Sequence, residues 1–237
     1  MISDTEKSLM LENMIPTLLD ESLDKAFVAG VCRTTAEEKM QAISIPINHI
    51  SFAWSCLEYH SISIMTRIEI DSDSIERSIH DITKAVNSGV HFCELVLNES
   101  FFTNQNFLSN LKSLKNIIIN SIPLGKIIFA IPYYALNTRE KTILFLKAFS
   151  HYGGISLRQD GLSETEKLTS VYRLFDSIQN SEQIPKWFIF DLFNIKNTVF
   201  FTQNILRLRD KILHGLNLKI SFHVSKKQLS LFTNRRT

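Results

Sequence analysis

The feature that most constrains this chain is a rhythm in its second half, where short runs rich in β-branched and aromatic residues alternate with longer segments of helical periodicity. The stretch 126–131 (KIIFAI) reads as a strand, 138–150 (TREKTILFLKAFS) as a helix, and 155–158 as a strand after the Gly153-Gly154 break. A helix over about 163–178 follows. Next come a strand at 186–192 (KWFIFDL) behind Pro185, a helix at 198–213 ending before Gly215, and a strand at 219–224 (KISFHV). Upstream, 73–88 reads as a helix, 92–98 (FCELVLN) as a strand and 107–120 as a helix. In the first third, 14–19 (MIPTLL) and 27–32 (FVAGVC) are candidate strands, and 36–70 mixes patterns without one clear period.

Strands joined by crossover helices run parallel, so the expected fold class is α/β, a TIM-like (β/α) barrel. The 237 residues, 44% hydrophobic and 21% charged, suit one such domain with its own core, placed at 10–228. Residues 229–237 read as a basic C-terminal tail, with Lys226 and Lys227 just ahead of it and Arg235 and Arg236 within it. Beyond Val224 the chain is too short for a further strand and helix, which predicts a barrel incomplete at its C-terminal end.

Charge and motifs exclude several classes. With 26 basic and 24 acidic side chains the net charge is +2, which gives no reason to expect a nucleic-acid surface. No apolar run approaches the roughly 18 residues of a membrane span, and the opening MISDTEKSLM lacks the basic region of a signal peptide, so a cytoplasmic protein is expected. Cys32, Cys56 and Cys93 are odd in number and widely spaced, which fits buried thiols rather than a disulfide framework or a zinc site. The seven glycines form no phosphate-cradling loop and the histidines no ligand spacing, so no cofactor and no metal are expected from motifs.

From about Met14 to Lys226 the order of segments resembles the EAL cyclic-di-GMP phosphodiesterases. MIPTLLD at 14–20 is similar to the family's Y-Q-P-I-V-D, AGVCRTTA at 29–36 to G-V-E-A-L-L-R, and LVLNES at 95–100 to V-N-L-S. IIFAIPYYAL at 127–136 is similar to the strand ending E-I-T-E-S, GGISLRQDG at 153–161 to the segment ending D-D-F-G, WFIFDLF at 187–193 to the K-I-D segment, and ISFHVSK at 220–226 to A-E-G-V-E-T. The family's motif residues hold divalent cations at the barrel mouth, and hard cations need oxygen ligands.

The resemblance implies a degenerate former site. Cys32, Ala130, Arg158, Gln159 and Phe222 stand at positions of acidic ligands, Ile189 at the catalytic lysine and Ala36 at a phosphate-binding arginine, while Asn98 and Asp191 keep the family residue. Shifting the alignment by one residue would put Asp160 on an acidic position. Metal binding and hydrolysis are therefore expected to be lost and dinucleotide binding weakened, leaving no catalytic residue and no enzyme. The function implied is protein–protein binding, by likeness to enteric EAL-like anti-activators that repress flagellar genes and motility by binding FlhD of the FlhD/FlhC transcription regulator. Tyr133 and Tyr134, behind Pro132 at a strand end, are candidate interface residues.

Two alternatives stand beside this reading. One is a cyclic-di-GMP receptor that binds without hydrolysis. The other is a ribonuclease: Arg209 and His214 in R-D-K-I-L-H resemble the R-x4-H pattern of HEPN ribonucleases, although flanking strand-like segments do not suit that family's helical bundle.

Overall fold

The computed structural model of the chain describes residues 4–70, 75–103, 107–158, 161–181 and 184–233. Gln159, Asp160, Arg235, Arg236 and the first two residues of the helix expected at 73–88 lie outside them. In chain order the elements are α1 (Asp4–Glu12), β1 (Met14–Pro16), α2 (Lys25–Glu37), β2 (Ala42–Ser44), α3 (Ile50–Leu57), β3 (Ser63–Ile70) and α4 (Ile75–Asn87). There follow β4 (Phe92–Leu97), α5 (Ser100–Thr103), α6 (Phe107–Ile118), β5 (Ile127–Pro132), α7 (Arg139–Phe149) and β6 (Gly154–Arg158). The chain ends with α8 (Glu164–Gln179), β7 (Trp187–Asp191), α9 (Thr198–Ile212), β8 (Lys219–Val224) and α10 (Lys226–Thr233).

The strands form one parallel eight-stranded sheet in the order β1-β8-β7-β6-β5-β4-β3-β2. A parallel bridge between Thr17 and Ser44, with the Leu18 amide donating to the Ser44 carbonyl at 2.9 Å, joins the two ends into a TIM-like (β/α) barrel. The expected incompleteness at the C-terminal end is corrected. There β8 pairs with β1, and α10 follows it with Leu229 and Phe232 packed into the core, so residues 229–233 of the expected tail are helical.

The expected strand at 27–32 is also corrected, because FVAGVC lies inside α2. Its buried residues Val28, Val31, Cys32 and Thr35 follow the helical i, i+3, i+4, i+7 spacing, and Asp24 caps the helix by accepting from the Phe27 amide at 2.7 Å. A six-residue apolar run does not by itself distinguish strand from helix. The unassigned 36–70 holds β2, α3 and β3.

Two hydrophobic layers share the strands. Outward-facing residues such as Ile68, Phe129, Leu157, Phe190 and Phe222 pack under the helices, each worth about 1.5–3 kcal/mol when fully buried. Inside the barrel, Ile15, Ala42, Met65, Ile128, Trp187 and Ile189 from five strands form an apolar plug, with Phe92 edge-on to Trp187. The plug sits toward the N-terminal ends of the strands. Lys219 lies 3.6 Å over the Trp187 ring there, and Trp187 Nε1 donates to Ser221 at 3.0 Å.

Gly153 and Gly154 let β6 come close to its neighbours. A Cβ on Gly154 would stand 2.4 Å from the Trp187 carbonyl oxygen, and one on Gly153 would stand 2.4 Å from that of Gly125. Gly154→Ala is expected to lower the unfolding free energy by about 1–3 kcal/mol, since backbone rather than a flexible side chain must move. Urea denaturation checks this, and an unchanged midpoint would show that β6 and β7 separate without cost.

Candidate active site at the barrel mouth

Alternation along a strand sends every second residue inward, and above the plug these inward positions turn polar. Arg67 on β3, Glu94 on β4, Ser156 on β6, Asp191 on β7 and His223 on β8 all face the interior, and Thr17 joins them just past β1. All of them but Ser156 form a connected chain across the barrel. His223 Nδ1 is 2.7 Å from the Thr17 hydroxyl, and His223 Nε2 lies 3.0 Å from Glu94 Oε2. The same Glu94 oxygen is 3.2 Å from Arg67 Nε, and both terminal nitrogens of Arg67 reach the Asp191 carboxylate at 3.3 Å.

Glu94 and His223 are wholly buried and Asp191 is 2% exposed, whereas the Arg67 side chain keeps 13% of its surface. The charged chain thus runs from the dry interior to the mouth. Burial pushes the Glu94 carboxyl up, but Arg67 and His223 overcome it and hold the group at about 2. For Asp191 the balance reverses: burial, aided by the Glu94 charge, raises it above the ordinary value despite Arg67 and His223. One arginine serves two carboxylates, and Glu94 has the stronger hold.

Above the chain opens a cavity of about 910 Å³ bounded by strand C-terminal ends and the loops after them. Arg67, Glu69, Asn98, Arg158, Asp191 and Phe193 line it, with the Arg67 guanidinium 5.8 Å from the centre of the Phe193 ring. This is the end at which barrel enzymes build their sites, because the strands hold side chains rigidly while the loops vary. Glu69 keeps contact with solvent. Its carboxyl is nevertheless raised, chiefly by partial withdrawal from water and also by Glu94, against the pull of Arg67 and Arg158.

Three of the residues singled out in the sequence meet here: Asn98 just after β4, Arg158 ending β6 and Asp191 ending β7. Ala130 and Ile189 are buried on the inward faces of β5 and β7, Ile189 within the plug. Cys32 is elsewhere, on α2 in the outer core, where burial pushes its thiol up to about 12. Phe222 points outward against Phe190, with ring centres 5.9 Å apart; its neighbour His223 occupies the inward position. Tyr133 is fully buried and Tyr134 half-buried, edge-on to Phe102 at 6.4 Å. Arg209 pairs with the adjacent Asp210 at 2.6 Å on α9, in a barrel rather than a helical bundle, so the ribonuclease reading built on Arg209 and His214 is corrected.

Thr17, Arg67, Glu69, Glu94 and His223 escaped the sequence reading. The available signal is a charged or polar residue inside a mostly apolar strand, as in CELVL and ISFHV. Among the described residues no three of His, Cys, Asp and Glu converge as a metal-binding set, and no lysine lines the cavity. The buried Lys167 lies on α8 beside the Tyr133 ring, and Lys219 is at the opposite end of the barrel.

No protein-family model matches the chain, and no curated protein matches it. Solved structures do. The deoxyribose phosphate aldolase of Aeropyrum pernix superposes with a TM-score of 0.63 at 8% identity, over 97% of this chain and 93% of that one. An aldolase designated QR15 gives 0.62 at 14% identity over 90% of each chain. A dihydrodipicolinate synthase from Rhodopseudomonas palustris gives 0.58 at 8% identity, over 89% of this chain and 68% of its own. At these identities the likeness establishes the fold.

These matches correct the EAL resemblance. Structures similar to this chain include aldolases and synthases, and the alignment behind the resemblance to cyclic-di-GMP phosphodiesterases puts Cys32 and Phe222 at mouth positions they do not occupy. The implied functions fall with it: the flagellar anti-activator that binds FlhD, the cyclic-di-GMP receptor and the non-enzyme. Absence of EAL carboxylates is no sign of an inert barrel when Arg67, Glu69, Glu94, Asp191 and His223 gather at its mouth.

Proposed function

We propose that this chain is an enzyme with its active site at the C-terminal mouth of the barrel, moving protons on a small carbonyl compound, with Glu69 as the group that gives and takes them. The observation carrying this reading is the buried chain from Thr17 through His223, Glu94 and Arg67 to Asp191, ending in an open cavity beside Glu69. Ionised groups cost several kcal/mol each to bury, and well-packed apolar residues often do as well or better for stability. The lower barrel has that apolar filling. Gathering buried fixed charges toward the mouth suits preorganised electrostatics toward a reacting molecule.

The aldolases of similar fold lend support, since aldol chemistry removes a proton from a carbon beside a carbonyl. A lysine-bound Schiff base is not part of this proposal, because no lysine is among the described residues that line the cavity. No helix among the described residues is long and apolar enough to cross a membrane. A cytoplasmic setting belongs to the proposal, supported by the free Cys32, Cys56 and Cys93 thiols.

The test is proton NMR in D2O. Small aldehydes, ketones and oxo acids, with and without a phosphate group, are incubated with the purified chain. Catalysed exchange of deuterium into the carbon beside the carbonyl is expected for at least one class; no exchange across the set contradicts the reading.

A further inference from the structure

We propose that Arg158 is the anion-binding residue of the mouth, so that the substrate carries a phosphate or carboxylate group docked on its guanidinium. This rests on the reading of the mouth as an active site and adds the substrate's chemical class. Arg158 ends β6 and lines the cavity. One of its terminal nitrogens donates to the Leu97 carbonyl at 3.1 Å, which holds the guanidinium against β4. Its Nε is buried and has no hydrogen-bond partner among the described residues.

The contrast with Arg67 is informative. Arg67 is engaged by both Glu94 and Asp191, whereas among the described residues no carboxylate stands within 4.0 Å of Arg158. A guanidinium presents five donors in a rigid fork, and the bond to Leu97 uses one of them while Arg158 borders the open cavity. Two oxygens of a phosphate or carboxylate match that fork in a way a lysine ammonium does not. Arg158 is therefore a cation at the mouth with capacity left for a ligand, and unlike the exposed Arg77 it is held in place by the Leu97 carbonyl.

The acidic residues around the cavity narrow the class further. Glu21, Glu69, Asp81, Glu99 and Asp191 share it with Arg67, Arg77 and Arg158, so a second anionic group on the ligand would be repelled. The fitting molecule has one anionic head at Arg158 and an uncharged carbonyl or hydroxyl portion reaching toward Glu69.

Calorimetric titration of the full chain with inorganic phosphate and, separately, with acetate tests the subsite. At least one probe is expected to bind, and Arg158→Gln to weaken it by at least about tenfold, with Arg158→Lys in between because the charge stays while the fork is lost. The arm that responds identifies phosphate or carboxylate. Circular dichroism verifies the variants; were Arg158→Gln misfolded, Arg158→Lys against the original chain makes the comparison. Glu69→Gln is expected to bind the same probe at least as tightly, since a repelling charge is gone. Binding lost in Arg158→Gln without catalysed exchange in the original chain would keep the subsite and remove the proton-transfer reading. Equal binding by the original chain and Arg158→Gln, or no binding of either probe, overturns the subsite.

Discussion

Glu94→Ala is expected to destabilise the fold by about 3–5 kcal/mol, the usual effect of removing one member of a buried ionic pair. Glu94 is wholly buried and its carboxylate faces both Arg67 and His223, so alanine leaves the Arg67 cation without its shortest ion pair, besides an unfilled space. The pH dependence provides a second readout. The Glu94 pKa is about 2 in the folded chain against an ordinary 4.5. Its contribution is therefore fully present above pH 4.5 and lost as pH falls through about 2. A depression of that size corresponds to about 3 kcal/mol. Asp191, raised by burial, works in the opposite sense: its charged form costs stability at neutral pH, and acid relieves that cost. Urea denaturation between pH 7 and pH 2.5 should therefore show a shallower acid loss than Glu94 alone would give, and Glu94→Ala should remove the Glu94 part. A loss below about 1 kcal/mol at pH 7 would show that the network contributes little to folding.

What could be read in the sequence follows from which face of each strand was apolar. In the second half of the chain, β5 and β7 are apolar on their outward faces and largely so within, so IIFAI and WFIF stand out as buried parallel strands, while β8 is marked by its outward Ile220, Phe222 and Val224. β3 does not. Its outward Ile64, Ile68 and Ile70 alternate with inward Met65, Arg67 and Glu69, a pattern belonging to a strand with one wet face, although here the polar face is the interior of the barrel mouth. β1 and β2 have three residues each, too few for any period. The hardest region to assign, 36–70, thus contained two of the residues that matter most at the mouth.

The failure of the EAL resemblance has a related cause. Segment order along a (β/α) barrel repeats in every protein of that architecture, so similar spacing between apolar strands carries fold information far better than family information. The informative letters are inward-facing ones near strand ends, and a slip of one residue exchanges inward for outward. Phe222 and His223 are one such pair: the resemblance puts the outward phenylalanine at the mouth, where the inward histidine stands against Glu94. Arg158 and Asp191 line the mouth, and their partners stand on β4 and β3, distant in sequence.

Glu69→Gln is expected to lower the rate of catalysed C–H exchange by about 10²–10⁴-fold, the range spanned by loss of a general acid or base. Glutamine keeps the shape and hydrogen-bonding capacity of the side chain and removes only its ability to gain and lose a proton. Glu69 retains contact with solvent and lies outside the Glu94–Arg67–Asp191 ion pairs, so urea stability should change far less than in Glu94→Ala. The pH profile separates proton transfer from simple loss of a contact. Partial burial and the Glu94 charge hold the Glu69 carboxyl above 4.5, so the ionised, proton-accepting form appears only as pH rises through that elevated value. Exchange by the original chain should climb along this limb and then level off, whereas Glu69→Gln should show a low, flat rate over the same interval. A variant with an unchanged rate, or one that keeps the rising limb, would assign the proton transfer to another group. Asp191 would be the next candidate, because burial raises it too and it borders the same cavity.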